Sequence, residues 1–298
     1  PSYITNLTST GIVRWGEQQT ESIDRIFESD QETSQREAIA FNGDGSIFAI
    51  GIPYTSGATP APTNANAGKV EIWKFENTNI WTKVQTVYGV GAFDTFGVNV
   101  RFATDDTLII AAPGVDPKPD AQQPDGVQWG FSIGRVYVYK RTTGTDIWTR
   151  VQTLTPPGMR YGANYGKTMD LSNDGNLLVL GNDNNQGSLS GADPSINLWS
   201  RSGGGSYYVS QTIANPSTRD VYDQTHDITV SGDGERIAWG ITYAGIDITD
   251  STYIYKHSAG SNYYLENTIL YGQDTYRSTI MVFSQDGNTI WQLSAGYD

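Results

Sequence analysis

Cysteine is missing altogether. Its absence excludes disulfides, thiolate metal sites and cysteine nucleophiles, and it says little about compartment, because disulfide-free chains are common in the cytosol. Histidine occurs only at His226 and His257, and neither has a Cys or Glu at metal-ligand spacing. Positive charge is scarce: 19 Lys and Arg stand against 32 Asp and Glu, a net charge of −13. Such a surface repels polyanions and anionic membranes, so neither nucleic-acid binding nor membrane insertion is expected. No apolar run reaches the roughly 18 residues of a spanning helix. The start, Pro1-Ser2-Tyr3-Ile4, shows neither a basic region nor an apolar stretch, so no signal peptide is read there. No segment sustains a helical period.

What is abundant is glycine, at 33 of 298 residues, and aromatics, at 12%. Thr, Val, Ile and Tyr recur in short bursts, the composition of many short strands joined by turns. A paired segment repeats. Val70-Glu71-Ile72-Trp73 precedes Trp81-Thr82-Lys83-Val84-Gln85-Thr86-Val87, and Val136-Tyr137-Val138-Tyr139 precedes Trp148-Thr149-Arg150-Val151-Gln152-Thr153-Leu154. Ile196–Trp199 with Tyr207–Ile213, and Thr252–Tyr255 with Tyr263–Ile269, follow the same pattern. Hairpin residues lie between the members of each pair.

A second pair precedes each of these. Glu37–Phe41 leads through Asn42-Gly43-Asp44-Gly45 to Ile47–Gly51; Thr168-Met169-Asp170-Leu171 leads through Asn173-Asp174-Gly175 to Leu177–Gly181; Asp227-Ile228-Thr229-Val230 leads through Gly232-Asp233-Gly234 to Arg236–Gly240. Each unit therefore holds four strands, A to D, and the turn residues Asp44, Asp105, Asp174, Asp233 and Asp286 recur about every 60 residues. That spacing predicts propeller blades.

The ends set the expected count. An A–B pair, Ile280–Phe283 and Thr289–Leu293, closes the chain, while Ile12–Trp15 and Ile23–Phe27 at the start match C and D. The expectation is an all-β, five-bladed β-propeller of four-stranded antiparallel blades, its last blade closed by N-terminal C and D and C-terminal A and B strands. The chain reads as one domain, 1–298, with blades near 36–88, 96–154, 166–213, 226–270, and 277–298 plus 11–28.

Phe96-Gly97-Val98, Ala111-Ala112-Pro113-Gly114, Gly134-Arg135-Val136, Gly51-Ile52-Pro53 and Tyr165-Gly166 resemble the FG-GAP repeats of integrin α-subunit-like propellers. The resemblance implies a propeller used for adhesion or recognition. The chain departs from that family in having five predicted blades rather than seven, and too few acids in its turns to imply bound calcium.

Catalytic motifs are sparse. No nucleophile elbow accompanies His226 and its neighbours Asp223 and Asp227. Gly203-Gly204-Gly205 joins C to D and opens no phosphate-binding helix. Thus no catalytic residue, cofactor or metal is expected. Glycosidase-type carboxylate pairs would draw on loop positions Asp94, Asp116, Asp125, Asp223 and Asp274. The binding signal lies in long B–C loops near 53–68, 113–134, 182–194 and 241–251, joined on one face by the D–A connections. Candidate ligand contacts are Tyr54, Asp116, Asp125, Trp129, Phe131, Tyr161, Tyr222 and Tyr243, aromatics and acids suited to stacking on sugar rings or anchoring a protein. Phe93, Phe96 and Tyr165 are expected to pack between blades.

The expected function is non-catalytic recognition or adhesion, with a glycan or protein as ligand and other virion proteins as neighbours. The chain would be a phage-tail or capsid-attached component, extracellular or virion-associated. Two alternatives remain: a glycosidase-type enzyme, which a central pair of buried carboxylates would favour, and a structural spacer in an oligomer.

Overall fold

The computed structural model describes residues 38–55, 66–76, 80–115, 132–158, 162–182, 194–216, 223–243, 251–257, 262–270, 278–284 and 287–295. Strands form where β-branched and aromatic residues alternate, and hairpins where Asp-Gly pairs intervene. The first sheet is β1 (Ala38–Phe41), β2 (Ile47–Ile52), β3 (Lys69–Phe75) and β4 (Trp81–Tyr88). The second is β5 (Asn99–Thr104), β6 (Thr107–Ala112), β7 (Arg135–Arg141) and β8 (Trp148–Leu154). The third is β9 (Met169–Leu171), β10 (Leu177–Asn182), β11 (Ser195–Ser200) and β12 (Tyr208–Ala214). The fourth is β13 (Asp223–Val230), β14 (Arg236–Tyr243), β15 (Ser251–His257) and β16 (Tyr263–Leu270). In each, consecutive strands pair antiparallel. A fifth sheet holds β17 (Ser278–Phe283) and β18 (Ile290–Ala295).

The Asp-Gly turns explain themselves. Asp233 Oδ1 accepts from the Ser231 hydroxyl at 2.6 Å and the Glu235 amide at 2.9 Å. Gly234 then takes φ +73°, which an L-side chain resists.

First strands touch in series, β1 with β5, β5 with β9, β9 with β13 and β13 with β17, so they lie innermost around one axis. The second strands β2, β6 and β10 are buried nearly throughout. Cores sit between sheets. Val70 and Ile72 meet Val100, Leu108 and Ile110; Ile109 and Val138 meet Leu178, Leu180 and Tyr165; Val179 and Leu198 meet Ile228, Ile237 and Trp239.

In each of the first three sheets a glutamine of the fourth strand ties its sheet to the next. Gln85 donates to the Trp148 carbonyl at 2.9 Å and accepts from the Trp148 amide at 2.7 Å. Gln152 does the same with Tyr207, at 2.6 and 2.9 Å, and Gln211 with Tyr263, at 2.9 and 2.8 Å. A primary amide matches a peptide group donor for acceptor, so each clasp satisfies two backbone groups at once. In the fourth sheet Asn267 occupies this position, and its side chain accepts from the Thr268 amide.

The residues that suggested FG-GAP repeats have a backbone role. Phe96 bridges Gly68 and Tyr165 bridges Gly134, both parallel. Gly97 has φ +93°, and a Cβ on Gly51 would lie 1.8 Å from the Gly97 carbonyl oxygen. Close approach of two backbones demands these glycines. Phe96 and Tyr165 are buried between sheets as expected, but Phe93 is 62% exposed, a correction to its expected packing.

Candidate active site

Charged side chains on three successive first strands act on one another. Arg101 lies on β5, Asp170 on β9 and Asp227 on β13, one on each of three successive first strands. Met169 and Leu171 pack toward the second sheet, and strand alternation turns Asp170 toward the fourth. There its Oδ2 accepts from the Val230 amide at 2.8 Å. The Arg101 guanidinium stands 3.7 Å from its Oδ1, and Arg101 is itself held by Asn99 Oδ1 at 2.9 Å and the Val100 carbonyl at 3.0 Å. Asp227 repeats the arrangement one sheet on: its Oδ2 accepts from the Met281 amide of β17 at 2.6 Å, and its Oδ1 from the Ile228 amide at 2.9 Å.

A β-bulge places Asp227. The pairing of β13 with β14 shifts between Thr225 and Asp227, so half-buried His226 is the extra residue. Bulges re-aim side chains and are frequent beside active sites.

Electrostatics follow from burial. Desolvation pushes the Asp170 carboxyl above its ordinary value, against the pull of Arg101 and of its amide partners. Desolvation also raises Asp227, and the negative charge of Asp170 raises it further. Two carboxylates in one field lose their protons in separate steps, which leaves one acid and one base over an intermediate pH range. Asp170 keeps 23% of its side chain exposed, so small molecules can reach it.

A second buried acid lies on a D–A connection. Asp94 Oδ2 accepts from the Gly91 amide at 2.7 Å, and burial raises its pKa. Phe93 and Thr95 on either side take φ +63° and +51°, conformations that non-glycine residues adopt under strain. Glu71, also buried, is different: Lys69 at 2.8 Å and Lys83 at 3.3 Å hold it below the ordinary carboxylate range despite desolvation.

Most residues singled out from sequence do not enter this cluster. Tyr54 is exposed just after β2. Asp116, Asp125, Trp129, Phe131, Tyr161, Tyr222 and Asp274 lie outside the described residues, as do the side chains of Asp223 and Tyr243. His257 stacks on Tyr263 at 4.9 Å. Among the described residues no group of three His, Asp or Glu could hold a metal ion, and no helix is long and apolar enough to cross a membrane. Asp170, Asp227 and Arg101 went unassigned in the sequence. The available signal was an acid between apolar neighbours in Met169-Asp170-Leu171.

No protein-family model matches the chain, and no curated protein does. Solved structures do match. Hydrazine synthase of Kuenenia stuttgartiensis aligns with TM-score 0.52 and 14% identity over 86% of this chain. The chain spans 60% of that protein's length. A candidate 6-phosphogluconolactonase of Bacteroides uniformis aligns with TM-score 0.46, 14% identity, 87% of this chain and 77% of that one. The periplasmic gluconolactonase of Pseudomonas aeruginosa aligns with TM-score 0.40, 12% identity, 84% and 77%. The chain has a propeller-type all-β fold.

These comparisons correct three expectations. No family model supports the expected likeness to FG-GAP integrin-like repeats, which is withdrawn. The non-catalytic adhesion reading is withdrawn with its virion and carbohydrate-binding terms, which none of these comparisons supports. The expectation that the chain is not an enzyme, which rested on that reading, is withdrawn with it. At 12–14% identity the likeness concerns fold, and nothing of substrate is taken from it.

Proposed function

We propose that this chain is a hydrolase acting on a carbohydrate-type substrate, with Asp170 and Asp227 as its acid and base. The observation that carries the reading is the pair of half-buried carboxylates on neighbouring innermost strands, both driven up in pKa by burial, with the Asp170 charge raising Asp227 further. A protonated carboxyl can donate to a departing oxygen while the ionised partner takes a proton from the attacking water. Arg101 keeps Asp170 oriented and biases it toward the ionised form, so Asp170 is the base and Asp227 the acid. Both carboxylates also clasp adjacent sheets through backbone amides. That role holds their geometry rigid, and it means that catalysis must be tested with substitutions that preserve the clasp.

The same proposal includes a fifth blade completed by residues 11–28. What supports it is an uncovered apolar face on either side of the gap: Ile280, Val282 and Trp291 are 48%, 54% and 70% exposed, and Ile39 and Phe41 41% and 43%.

The test is turnover of two substrate sets, aryl glycosides and sugar lactones, by wild type, Asp170→Asn and Asp227→Asn. Asparagine keeps an oxygen acceptor for the Val230 and Met281 amides but cannot exchange a proton. We expect hydrolysis of one set, reduced about 100-fold or more by either change. Hydrolysis that survives both changes would sink the assignment, as would no turnover of either set.

A further inference from the structure

The connection that leads from the first sheet into the second has a counterpart leading from the second into the third. Phe96 bridges Gly68 and Tyr165 bridges Gly134 in the same parallel manner. One residue earlier, the Thr95 and Asn164 amides donate to the Asn66 and Ser132 carbonyls. The two turns therefore correspond residue for residue: Phe93 with Gly162, Asp94 with Ala163, Thr95 with Asn164.

Their backbones agree. Gly162 takes φ +73° and Phe93 +63°; Asn164 takes +45° and Thr95 +51°. One turn meets the left-handed region with glycine and asparagine, which tolerate it. The other meets it with an aromatic and a β-branched residue, which do not. The first turn is thus strained where its counterpart is not. Burial returns little of that cost, since Phe93 is 62% exposed.

The second difference is charge. Where Ala163 is buried, Asp94 buries a carboxylate. Its Oδ2 accepts from the Gly91 amide at 2.7 Å, and the Val90 amide donates to it as well. From β7, Arg135 faces it and favours the ionised form, and the Tyr137 hydroxyl, which Arg135 engages, lies in the same field. Arg150 of β8 stands over the Tyr137 ring at 5.3 Å from its centre. Desolvation outweighs the amides and Arg135, so the Asp94 pKa stays above its ordinary value. By linkage, a proton on Asp94 favours the buried arrangement, and its loss favours one in which the carboxylate reaches water. The buried arrangement also pins the chain leaving β6, because the Gly114 amide donates to the Asp94 carbonyl at 3.1 Å and to Thr95 Oγ1 at 3.2 Å.

We propose that residues 90–95 form a two-state latch: closed, with Asp94 buried on the Gly91 and Val90 amides and Gly114 pinned, and open, with Asp94 in water and Phe93 and Thr95 released from the left-handed region. Acid closes the latch. Backbone strain and the buried charge favour opening; the amide donors favour closure. The balance sets how firmly the chain is held where it leaves β6. None of these residues belongs to the inner-strand cluster, so the latch does not rest on the hydrolase reading.

Two measurements on the full chain test it. In a carbon-detected NMR titration, the Asp94 carboxyl is expected to titrate above 3.8; a midpoint at or below that value would overturn the proposal. In amide exchange at Gly91, corrected for the intrinsic pH dependence, protection is expected to fall severalfold between about pH 4 and about pH 7. Each unit of pKa difference between the closed and open forms changes their ratio about tenfold. Asp94→Asn keeps an acceptor for both amides without titrating, and a flat profile is expected, with protection above wild type near neutral pH. Phe93→Gly gives the turn its counterpart's residue and is expected to raise protection severalfold at both ends of the range, with the slope retained. A flat wild-type profile, an equal slope in Asp94→Asn, or no gain of protection in Phe93→Gly would each refute the latch.

Discussion

At Asp170 two demands meet. The backbone of β13 needs an acceptor at that point, and burial makes a charged acceptor unfavourable. The folded protein therefore holds the Asp170 proton more tightly than the unfolded chain does. With the folded pKa raised, stability from this group is greatest below the unfolded value, near 3.8, and falls as pH rises through the folded value. Asp170→Asn removes that dependence and keeps the acceptor. Urea unfolding near pH 4 and pH 7 is expected to show a smaller loss of stability with rising pH in Asp170→Asn than in wild type. Asp170→Ala leaves the Val230 amide without its partner and is expected to cost about 1–3 kcal/mol at both values. Equal pH slopes in wild type and Asp170→Asn would contradict the raised pKa. The residue was visible in the sequence as one charge in Met169-Asp170-Leu171. Its role was not, because alternation assigns a face without saying what lies opposite.

Elements show a similar division. The Val-Gln-Thr of β4 and β8 and the Ser-Gln-Thr of β12 are plain repeats in the sequence, and alternation predicts a half-buried strand for each. That the glutamine in each reaches a backbone on the next sheet, 63, 55 and 52 residues away, is a product of packing. Gln152→Leu preserves bulk and removes both bonds to Tyr207. We expect a loss of about 1–3 kcal/mol by urea denaturation, with Gln152→Glu intermediate because it keeps the acceptor for the Tyr207 amide. An effect no larger than that of an exposed neighbour such as Arg150→Ala would mean that the clasp contributes nothing. The Asp-Gly turns needed no such context, since Asp233 and Gly234 satisfy the hairpin within five residues.

For the molecule as a whole, closure decides the fold's edges. The fifth sheet and the first both carry exposed apolar side chains, and exposed apolar sheet surface invites association. Removal of residues 1–30 is expected to lower the thermal midpoint and to produce oligomers by light scattering. Added back as a peptide, residues 11–28 are expected to restore the monomer. A truncated chain that stays monomeric with an unchanged midpoint would exclude the fifth blade as proposed. The loops expected to carry ligand, including Asp116, Asp125, Trp129 and Phe131, fall outside the described residues. The site argued instead lies on rigid inner strands, where fixed geometry favours acid–base chemistry.

By itself the sequence determined the strands, their hairpin turns and their grouping in fours, because alternation and Asp-Gly geometry act within a few residues of chain. Only tertiary structure decided that Arg101, Asp170 and Asp227 share one field and that Gln85, Gln152 and Gln211 each clasp a foreign backbone. Those outcomes join side chains to groups tens of residues away, and such distances are closed by the packing of sheets around a common axis, which no local pattern encodes.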